Sequence, residues 1–460
     1  MNKLDNLRKQ IIESETFCFH PYLELSTNPA GHTRPCCYYD GYLYPDGRNS
    51  NDITDALSIH SPGATFEKIW ETENLQELRR SMWKGELPKE CNVCKRDGNA
   101  SMRARSVKEY KNDSEVLQLV DDTINNNFKV NHLPIRLELK PSNLCNLKCV
   151  MCNSYDSSQI GKELVEMAKK FKGINIVAGR FDSINEDKEG IIESNEVYQE
   201  VPSTDYSENV GVWNSFIAMA PTLRVLSFAG GEPTLSEFVL RALRYCVKKG
   251  YAKNIVVFCS SNYTNLNKNF LEVMPHYKRF ELIASIDGFE KVQEYTRFPS
   301  KWEAIKKNYE LAKQYMVHPN VKIVMNITVT ALNVLNLDKL LYWIDEQASA
   351  APYFNYWPYN LNLLWSPYYQ RLEYLPQHIK LEAVQRLEKY KETSTVLKEF
   401  IEMHGVVDVV INQLQNNEIS DIDIKNGIIR FGDILKTLDE HRDISIDDYI
   451  PELTEVYTCR

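Results

Sequence analysis

Short β-rich segments alternate with longer helical patterns from about residue 133 onward. In chain order these segments are IRLELK, LRVLSFAG, NIVVFCSS, FELIASID, KIVMNITVT and, as the weakest of the six, YFNYWPYN. Because strands that alternate with helices form parallel sheets, the order predicts an α/β fold. Six strands are too few for a closed eight-stranded barrel. We therefore expect a partial (β/α)6 TIM-like barrel with its chemistry at the carboxyl ends of the strands.

The segments on either side of this core have different patterns. Residues from about 17 to 105 are rich in turn formers and aromatics, and contain the short run YLELS and one amphipathic helix, TFEKIWETENLQELRRSMWKGE. After about residue 366 the pattern is helical and amphipathic. These changes predict a cysteine-rich module of a β-hairpin and a helix at 1–132, a core at 133–365 and a helical region at 366–460.

An unusually long segment, at about 170–213, separates the first two core strands. It is acidic and has little periodicity. Long connections of this kind within a domain are often functional loops or unstructured insertions. We interpret the segment as an insertion or lid, and a solvated loop without a role is an equally good interpretation.

Composition and charge exclude several classes of protein. Of the 460 residues, 43% are apolar and 25% are charged, which is typical of a globular protein. The net charge of −9 argues against broad binding to nucleic acid phosphates. No apolar stretch approaches the length of a membrane span, and the amino terminus lacks a signal-peptide pattern. We therefore expect a cytoplasmic protein that binds neither membranes nor nucleic acid.

Three closely spaced cysteines follow the first core strand: Cys145, Cys149 and Cys152. In a reducing compartment, clustered thiols are more often metal ligands than disulfides. Three thiolates on one loop can hold three corners of a [4Fe-4S] cluster and leave one iron for a small molecule. A zinc site is the alternative, but His132 precedes the strand and is expected at its opposite end.

The spacing Cys145-x3-Cys149-x2-Cys152 resembles the motif of the radical S-adenosylmethionine (SAM) superfamily, whose members carry CxxxCxxC in their first βα loop. Segments after three later strands resemble the SAM contacts of that family. The residues implied are Gly230, Gly231 and Glu232 for the amino group of SAM, Ser261 and Asn262 as polar contacts, and Ser285 and Arg297 for the methionyl carboxylate.

Four cysteines in the amino-terminal module are enough for a second cluster: Cys18, Cys36, Cys91 and Cys94. Gly31, between the first two, permits a tight hairpin. The pattern resembles the auxiliary-cluster module called a twitch domain, which is related to SPASM domains, and so implies an auxiliary iron-sulfur cluster. Structural zinc is the alternative. The adjacent Cys37 could replace Cys36 as a ligand.

The resemblance implies an enzyme that cleaves SAM reductively at a [4Fe-4S] cluster and abstracts hydrogen from a substrate with a 5′-deoxyadenosyl radical. Its implied partners are SAM and an electron donor such as flavodoxin or ferredoxin. Auxiliary modules often accompany peptide modification in similar proteins, so a peptide or protein is the leading substrate expectation. A sugar or nucleotide is the second, and a non-enzymatic zinc-binding interaction protein is the alternative from another class.

Overall fold

A computed structural model describes residues 3–43, 57–98, 101–185, 191–193, 205–349, 357–416 and 418–458. The chain divides into two compact units. Unit 1 comprises Met1–Asn143, Ser203–Cys259 and His276–Phe280, and unit 2 comprises Leu144–Pro202, Ser260–Pro275 and Glu281–Arg460. Within the ranges just given, no helix has the length and apolar character needed to cross a membrane.

The helices and strands follow one another in a largely alternating order. Before the core come α1 (Lys3–Glu13), α2 (His20–Leu23), β1 (Glu24–Thr27), β2 (Thr33–Arg34), α3 (Phe66–Trp70), α4 (Glu73–Trp83), α5 (Asn92–Asp97), α6 (Met102–Tyr110) and α7 (Ser114–Asn125). The core contains β3 (Arg136–Leu139), α8 (Ser158–Lys170), β4 (Ile174–Val177), β5 (Arg180–Ile184), β6 (Ile191–Glu193), α9 (Val210–Met219), β7 (Val225–Phe228), α10 (Glu237–Lys248), β8 (Val256–Ser261), α11 (Lys268–Leu271), β9 (Arg279–Ala284), α12 (Lys291–Thr296), α13 (Trp302–Lys313), β10 (Val321–Val329), α14 (Leu337–Ser349) and β11 (Tyr359–Leu363). The chain then continues with α15 (Gln377–Thr393), α16 (Lys398–His404), α17 (Val406–Gln415), α18 (Asp421–Arg442), α19 (Ile446–Tyr449) and α20 (Thr454–Thr458).

Unit 1 is built on a mostly parallel sheet with the strand order β8-β7-β3-β1-β2. The strand β3 pairs in parallel with β7, and Arg136 lies opposite Val225. On its other side β3 pairs in parallel with β1, where Glu24 lies opposite Arg136. The strand β1 arises from the YLELS run, so the amino-terminal segment contributes a strand to the same sheet as the predicted core. The antiparallel β2 completes the hairpin.

A buried charge network joins β1 to β3. The Nδ1 atom of His20 and the Nε atom of Arg136 each lie 2.8 Å from the same carboxylate oxygen of Glu24. Burial by itself raises the pKa of Glu24, but the charges of His20 and Arg136 lower it to about 2. The carboxylate is therefore ionised in the folded protein, and its charge is compensated within the sheet.

The amino-terminal helices pack through an aromatic and aliphatic cluster. Its fully or nearly buried members come from α1, α2, α6, α7 and neighbouring segments: Leu7, Ile11, Phe17, Phe19, Tyr22, Leu23, Tyr110, Val116, Leu117, Val120 and Ile135. The apolar positions of α7 recur at helical spacing, which explains why this face turns inward.

Unit 2 contains the strand order β11-β10-β9 and a separate three-stranded sheet of order β5-β4-β6. The strands β10 and β11 are parallel, with Asn326 opposite Asn360. The small sheet lies within the predicted insertion. It forms because alternate apolar residues, including Ile174, Ile176 and Phe181, are buried. Residues 186–190 and 194–204 of the predicted insertion lie outside the described residues.

The predicted α/β class is confirmed, and the strand–helix order is that of a partial (β/α)6 barrel. The weakest predicted strand, YFNYWPYN, begins at 353, but β11 begins at Tyr359, and residues 351–356 lie outside the described ranges. The carboxyl-terminal region is helical, as its periodicity predicts. The domain boundaries at 132 and 365 stay predictions.

Candidate active site

The three closely spaced cysteines lie in the cluster loop, residues 145–152, which precedes α8 in the chain. Backbone hydrogen bonds fix its middle: the amide of Lys148 donates to the carbonyl of Phe298 at 2.6 Å, and that of Val150 to the carbonyl of Thr296 at 2.9 Å. The hydroxyl of Ser157, at the start of α8, donates to the carbonyl of Leu147 at 2.8 Å. The loop therefore has a defined path although it has no regular secondary structure.

The environment of the loop thiols combines burial with nearby cations. Cys149 is buried, while Cys145 and Cys152 are partly exposed. Burial raises the pKa of Cys149, and Arg297 opposes this shift. Burial also raises the pKa of Cys152, to about 12, and Arg180 opposes it. The thiols of Cys149 and Cys152 are thus protonated at neutral pH without a metal, and a bound metal would stabilise their thiolates.

The three loop cysteines supply the thiol donors that an iron-sulfur cluster uses. In the described part of the chain, no three His, Cys, Asp or Glu side chains form a group that could hold one metal ion. A tetrahedral zinc site requires its ligands to meet at one point. In an iron-sulfur cluster, by contrast, each cysteine binds a different iron, so the thiols need not meet at one point.

Arg297 lies beside the loop cysteines and is held by Asp287. Its Nε donates to a carboxylate oxygen of Asp287 at 2.6 Å, and the other oxygen accepts from the amide of Thr328 at 2.7 Å. Burial lowers the pKa of Arg297, but Asp287 and Cys149 raise it above its ordinary value. The guanidinium therefore stays charged next to the cluster loop. Asp287 was not among the predicted SAM contacts, although it lies only two residues after Ser285.

The ends of β8 and β9 also reach the cluster loop within unit 2. The amide nitrogen of the Asn262 side chain donates to the side-chain oxygen of Asn146, which lies between the first two loop cysteines, at 2.9 Å. The backbone amide of Ser285 donates to the carbonyl of Ser261 at 2.8 Å. The structure thus brings Ser261, Asn262, Ser285 and Arg297 to the neighbourhood of the loop.

The Gly-Gly-Glu segment forms a tight turn in unit 1. Gly230 has a φ of +103°, and a Cβ there would lie 2.7 Å from the carbonyl oxygen of Ser142, so only glycine fits. The amide of Gly231 donates to that same oxygen at 2.8 Å. One carboxylate oxygen of the buried Glu232 accepts from the amide and hydroxyl of Thr234, at 3.1 and 2.7 Å. The turn is therefore held in one conformation.

A family comparison agrees with this arrangement. Residues 139–333 match the radical SAM superfamily. The match contains the cluster loop and every SAM contact predicted above, although it covers less than half of the chain. This part is a radical SAM domain, and the cofactors of that family are a [4Fe-4S] cluster and SAM. No curated protein sequence matches it.

Solved structures show only a distant likeness. SuiB of Streptococcus suis bound to S-adenosylmethionine is 14% identical, with 71% of this chain and 62% of that chain covered at a TM-score of 0.35. The protein anSMEcpe with bound AdoMet is 16% identical, with 57% and 60% covered at 0.33. SuiB bound to precursor peptide SuiA is 13% identical, with 72% and 66% covered at 0.33. This chain spans 62% and 60% of the lengths of the first two of these proteins. Function must therefore be argued from the site.

Outside the radical SAM domain, the four amino-terminal cysteines line one cavity in unit 1. Its walls include Cys18, Cys36, Cys91 and Cys94. Burial raises the pKa of Cys18 to about 12. The β1–β2 hairpin that brings the first two together turns at Gly31, whose φ is +80°. The predicted role of this glycine is thus explained by its backbone.

Arg103 is a second feature of this cavity that suits an iron-sulfur cluster. It lines the wall, and its buried Nε has no hydrogen-bond partner among the described residues. A cluster held by four thiolates is negatively charged, so a cation in the wall would stabilise it. Cys37 is not among the residues that line the cavity, and its thiol hydrogen-bonds Glu138. These contacts favour Cys36 over Cys37 as the ligand.

Replacing Arg297 by lysine is expected to weaken SAM binding. The charge is kept, but the planar fork that matches a carboxylate is lost. Since a hydrogen bond to a charged group contributes about 1.5–3 kcal/mol, we expect the dissociation constant of SAM to rise about 10-fold or more. Equilibrium dialysis of the reconstituted protein would measure it. The control is Arg244→Lys on an exposed position of α10. An unchanged affinity in Arg297→Lys would remove Arg297 from the site.

Proposed function

We propose that this protein is a radical SAM enzyme that removes a hydrogen atom from a peptide or protein substrate. The main support for the proposal is that Arg297 and Asn262 both lie next to the cluster loop within unit 2. When bound, the cluster supplies one electron to SAM, which splits into methionine and a 5′-deoxyadenosyl radical that takes hydrogen from the substrate.

The residues of the chain hold and orient the reactants. Cys145, Cys149 and Cys152 provide three cluster ligands and leave one iron for SAM. Arg297, fixed by Asp287, presents its guanidinium to the methionyl carboxylate. In the proposal Gly230, Gly231 and Glu232 receive the amino group, and Ser261, Asn262 and Ser285 supply further polar contacts.

The peptide class is supported by the amino-terminal module. A cavity lined by four cysteines and an arginine fits an auxiliary iron-sulfur cluster, and the cysteine pattern resembles twitch modules that accompany peptide modification. We also propose that a one-electron donor such as flavodoxin or ferredoxin reduces the cluster. The proposed location is the cytoplasm, a reducing compartment in which free thiols persist.

Anaerobic purification and reconstitution would test the proposal. We expect about eight iron atoms per chain, corresponding to two clusters, and the formation of 5′-deoxyadenosine from SAM with dithionite. Bound zinc without 5′-deoxyadenosine would contradict the proposal and favour the zinc-binding alternative. Peptides encoded next to the gene should then accelerate SAM cleavage, and the mass of the modified peptide should change. Acceleration by sugars or nucleotides instead would contradict the peptide class.

A further inference from the structure

We propose that Arg442, the last residue of α18, is a positioning residue for the [4Fe-4S] cluster of the radical SAM domain. It lies more than 100 residues beyond the end of the family match at 333. The sequence pattern around it suggests only helix packing. The proposal rests on the proposed function, since it assigns a use to a contact with the cluster loop.

Arg442 makes a forked contact that reaches both the cluster loop and α8. Its Nη2 donates to the carbonyl of Lys148, the residue before Cys149, at 2.9 Å. Its Nε and Nη2 donate to the two carboxylate oxygens of Glu163, at 2.9 and 2.8 Å. The side chains of Arg442 and Glu163 are each only 4% exposed. A bidentate pair with this burial has one geometry, so the third hydrogen bond has a fixed direction.

Lys148 is consequently held at both of its peptide groups. Its amide donates to the carbonyl of Phe298, and its carbonyl accepts from Arg442. Its ammonium group lies 3.2 Å from Glu163. Although burial raises the pKa of Glu163, Arg442 and Lys148 lower it below its ordinary value, so this carboxylate stays charged between two cations. The backbone that enters Cys149 therefore cannot shift without breaking its hydrogen bonds to Phe298 and Arg442.

Other segments of unit 2 hold the following carbonyls of the loop. The side-chain amide of Gln370 donates to the carbonyl of Val150 at 3.1 Å. The Nε of Arg180, from the first strand residue of β5, donates to the carbonyls of Met151 and Cys152 at 3.3 and 3.1 Å. A loop without regular structure needs such partners for its backbone, and ligands of a metal centre must be held to about 0.5 Å.

The end of α18 is itself fixed against α8, the helix after the cluster loop. Lys170 donates to the carbonyl of Glu440 at 2.7 Å. His441 lies 3.8 Å from Glu166. Arg442 is therefore presented to the loop from an anchored helix end, which distinguishes it from a surface arginine that happens to touch a carbonyl.

Four variants test this role. Arg442→Met removes the donor, and Arg442→Lys keeps the charge but not the fork. Arg442→Met with Glu163→Gln removes the donor together with the negative charge of its buried partner. The matched control is Arg430→Met, in the same helix, because Arg430 pairs with Asp182 and not with the loop.

The first readout is amide hydrogen exchange of residues 145–152 in the metal-free protein, which does not depend on activity. We expect exchange there to be at least about 10-fold faster in Arg442→Met and in the double variant, and unchanged in Arg430→Met. The double variant should unfold at a temperature close to that of wild type. Wild-type protection of 145–152 in the double variant would overturn the proposal.

The second readout is the electron paramagnetic resonance signal of the reconstituted, reduced protein before and after SAM is added. We expect the SAM-dependent change to be lost in Arg442→Met, partly recovered in Arg442→Lys and kept in Arg430→Met. If SAM changes the signal of Arg442→Met as much as that of wild type, Arg442 has only a structural role as a member of an ion pair. If wild type itself shows no SAM-dependent change, the proposed function fails, whereas the exchange data still decide whether Arg442 holds the loop.

Discussion

Replacing Cys149 by serine should abolish the formation of 5′-deoxyadenosine and remove about four iron atoms per chain, because a hydroxyl does not replace a thiolate as a ligand of such a cluster. Cys149 is the buried member of the three loop cysteines, so solvent cannot easily substitute for it. We expect the rate of SAM cleavage to fall by at least about 100-fold. Iron analysis and chromatographic detection of 5′-deoxyadenosine under dithionite would measure both effects.

The control for this variant is Cys246→Ser. Cys246 is buried on α10 and belongs to neither of the two cysteine groups. It should keep both the iron content and the rate of cleavage. If Cys149→Ser keeps the iron and the rate of wild type, the cluster loop does not hold the catalytic cluster.

The double variant Cys91→Ala/Cys94→Ala should lose only the auxiliary metal. The two residues line the cavity of unit 1 with Cys18 and Cys36, so their removal takes half of the thiolates from that site. We expect the iron content to fall by about four atoms per chain. Cleavage of SAM without substrate should continue, while product formation should stop. Metal analysis and the two rates, measured on the same preparation, would separate these effects.

Cys37→Ala is the matched control, because Cys37 adjoins Cys36 but is absent from the cavity wall. It should leave the iron content unchanged. A loss of zinc instead of iron in Cys91→Ala/Cys94→Ala would show that the module is a structural zinc site. A loss of iron in Cys37→Ala would show that Cys37 is a ligand.

The strands of the core could be predicted because each leaves a local signal. In β8, buried and partly exposed residues alternate, as the period of a strand requires. The cluster loop could be predicted for a similar reason, since three cysteines within eight residues form a local pattern. The hairpin at Gly31 could also be predicted, because glycine is the residue that such a turn needs.

The contacts that hold the cluster loop could not be predicted. Arg442 and Glu163 are 279 positions apart in sequence, and no local pattern links an arginine at a helix end to one particular carboxylate. Arg180 lies in a segment that we expected to be an irregular insertion, yet the buried faces of β4 and β5 place it against the loop. Such pairings depend on how distant segments pack, and propensity and periodicity carry no information about them.

The pairing of β1 with β3 limits how this protein can be divided. A chain that begins at 133 would lose β1 and leave one edge of β3 with unpaired amides and carbonyls. Exposed strand edges recruit other chains and promote aggregation. The amino-terminal segment is therefore part of the sheet on which the radical SAM domain begins. If gene fusion or domain shuffling moved this domain alone, the new protein would have to provide a replacement strand.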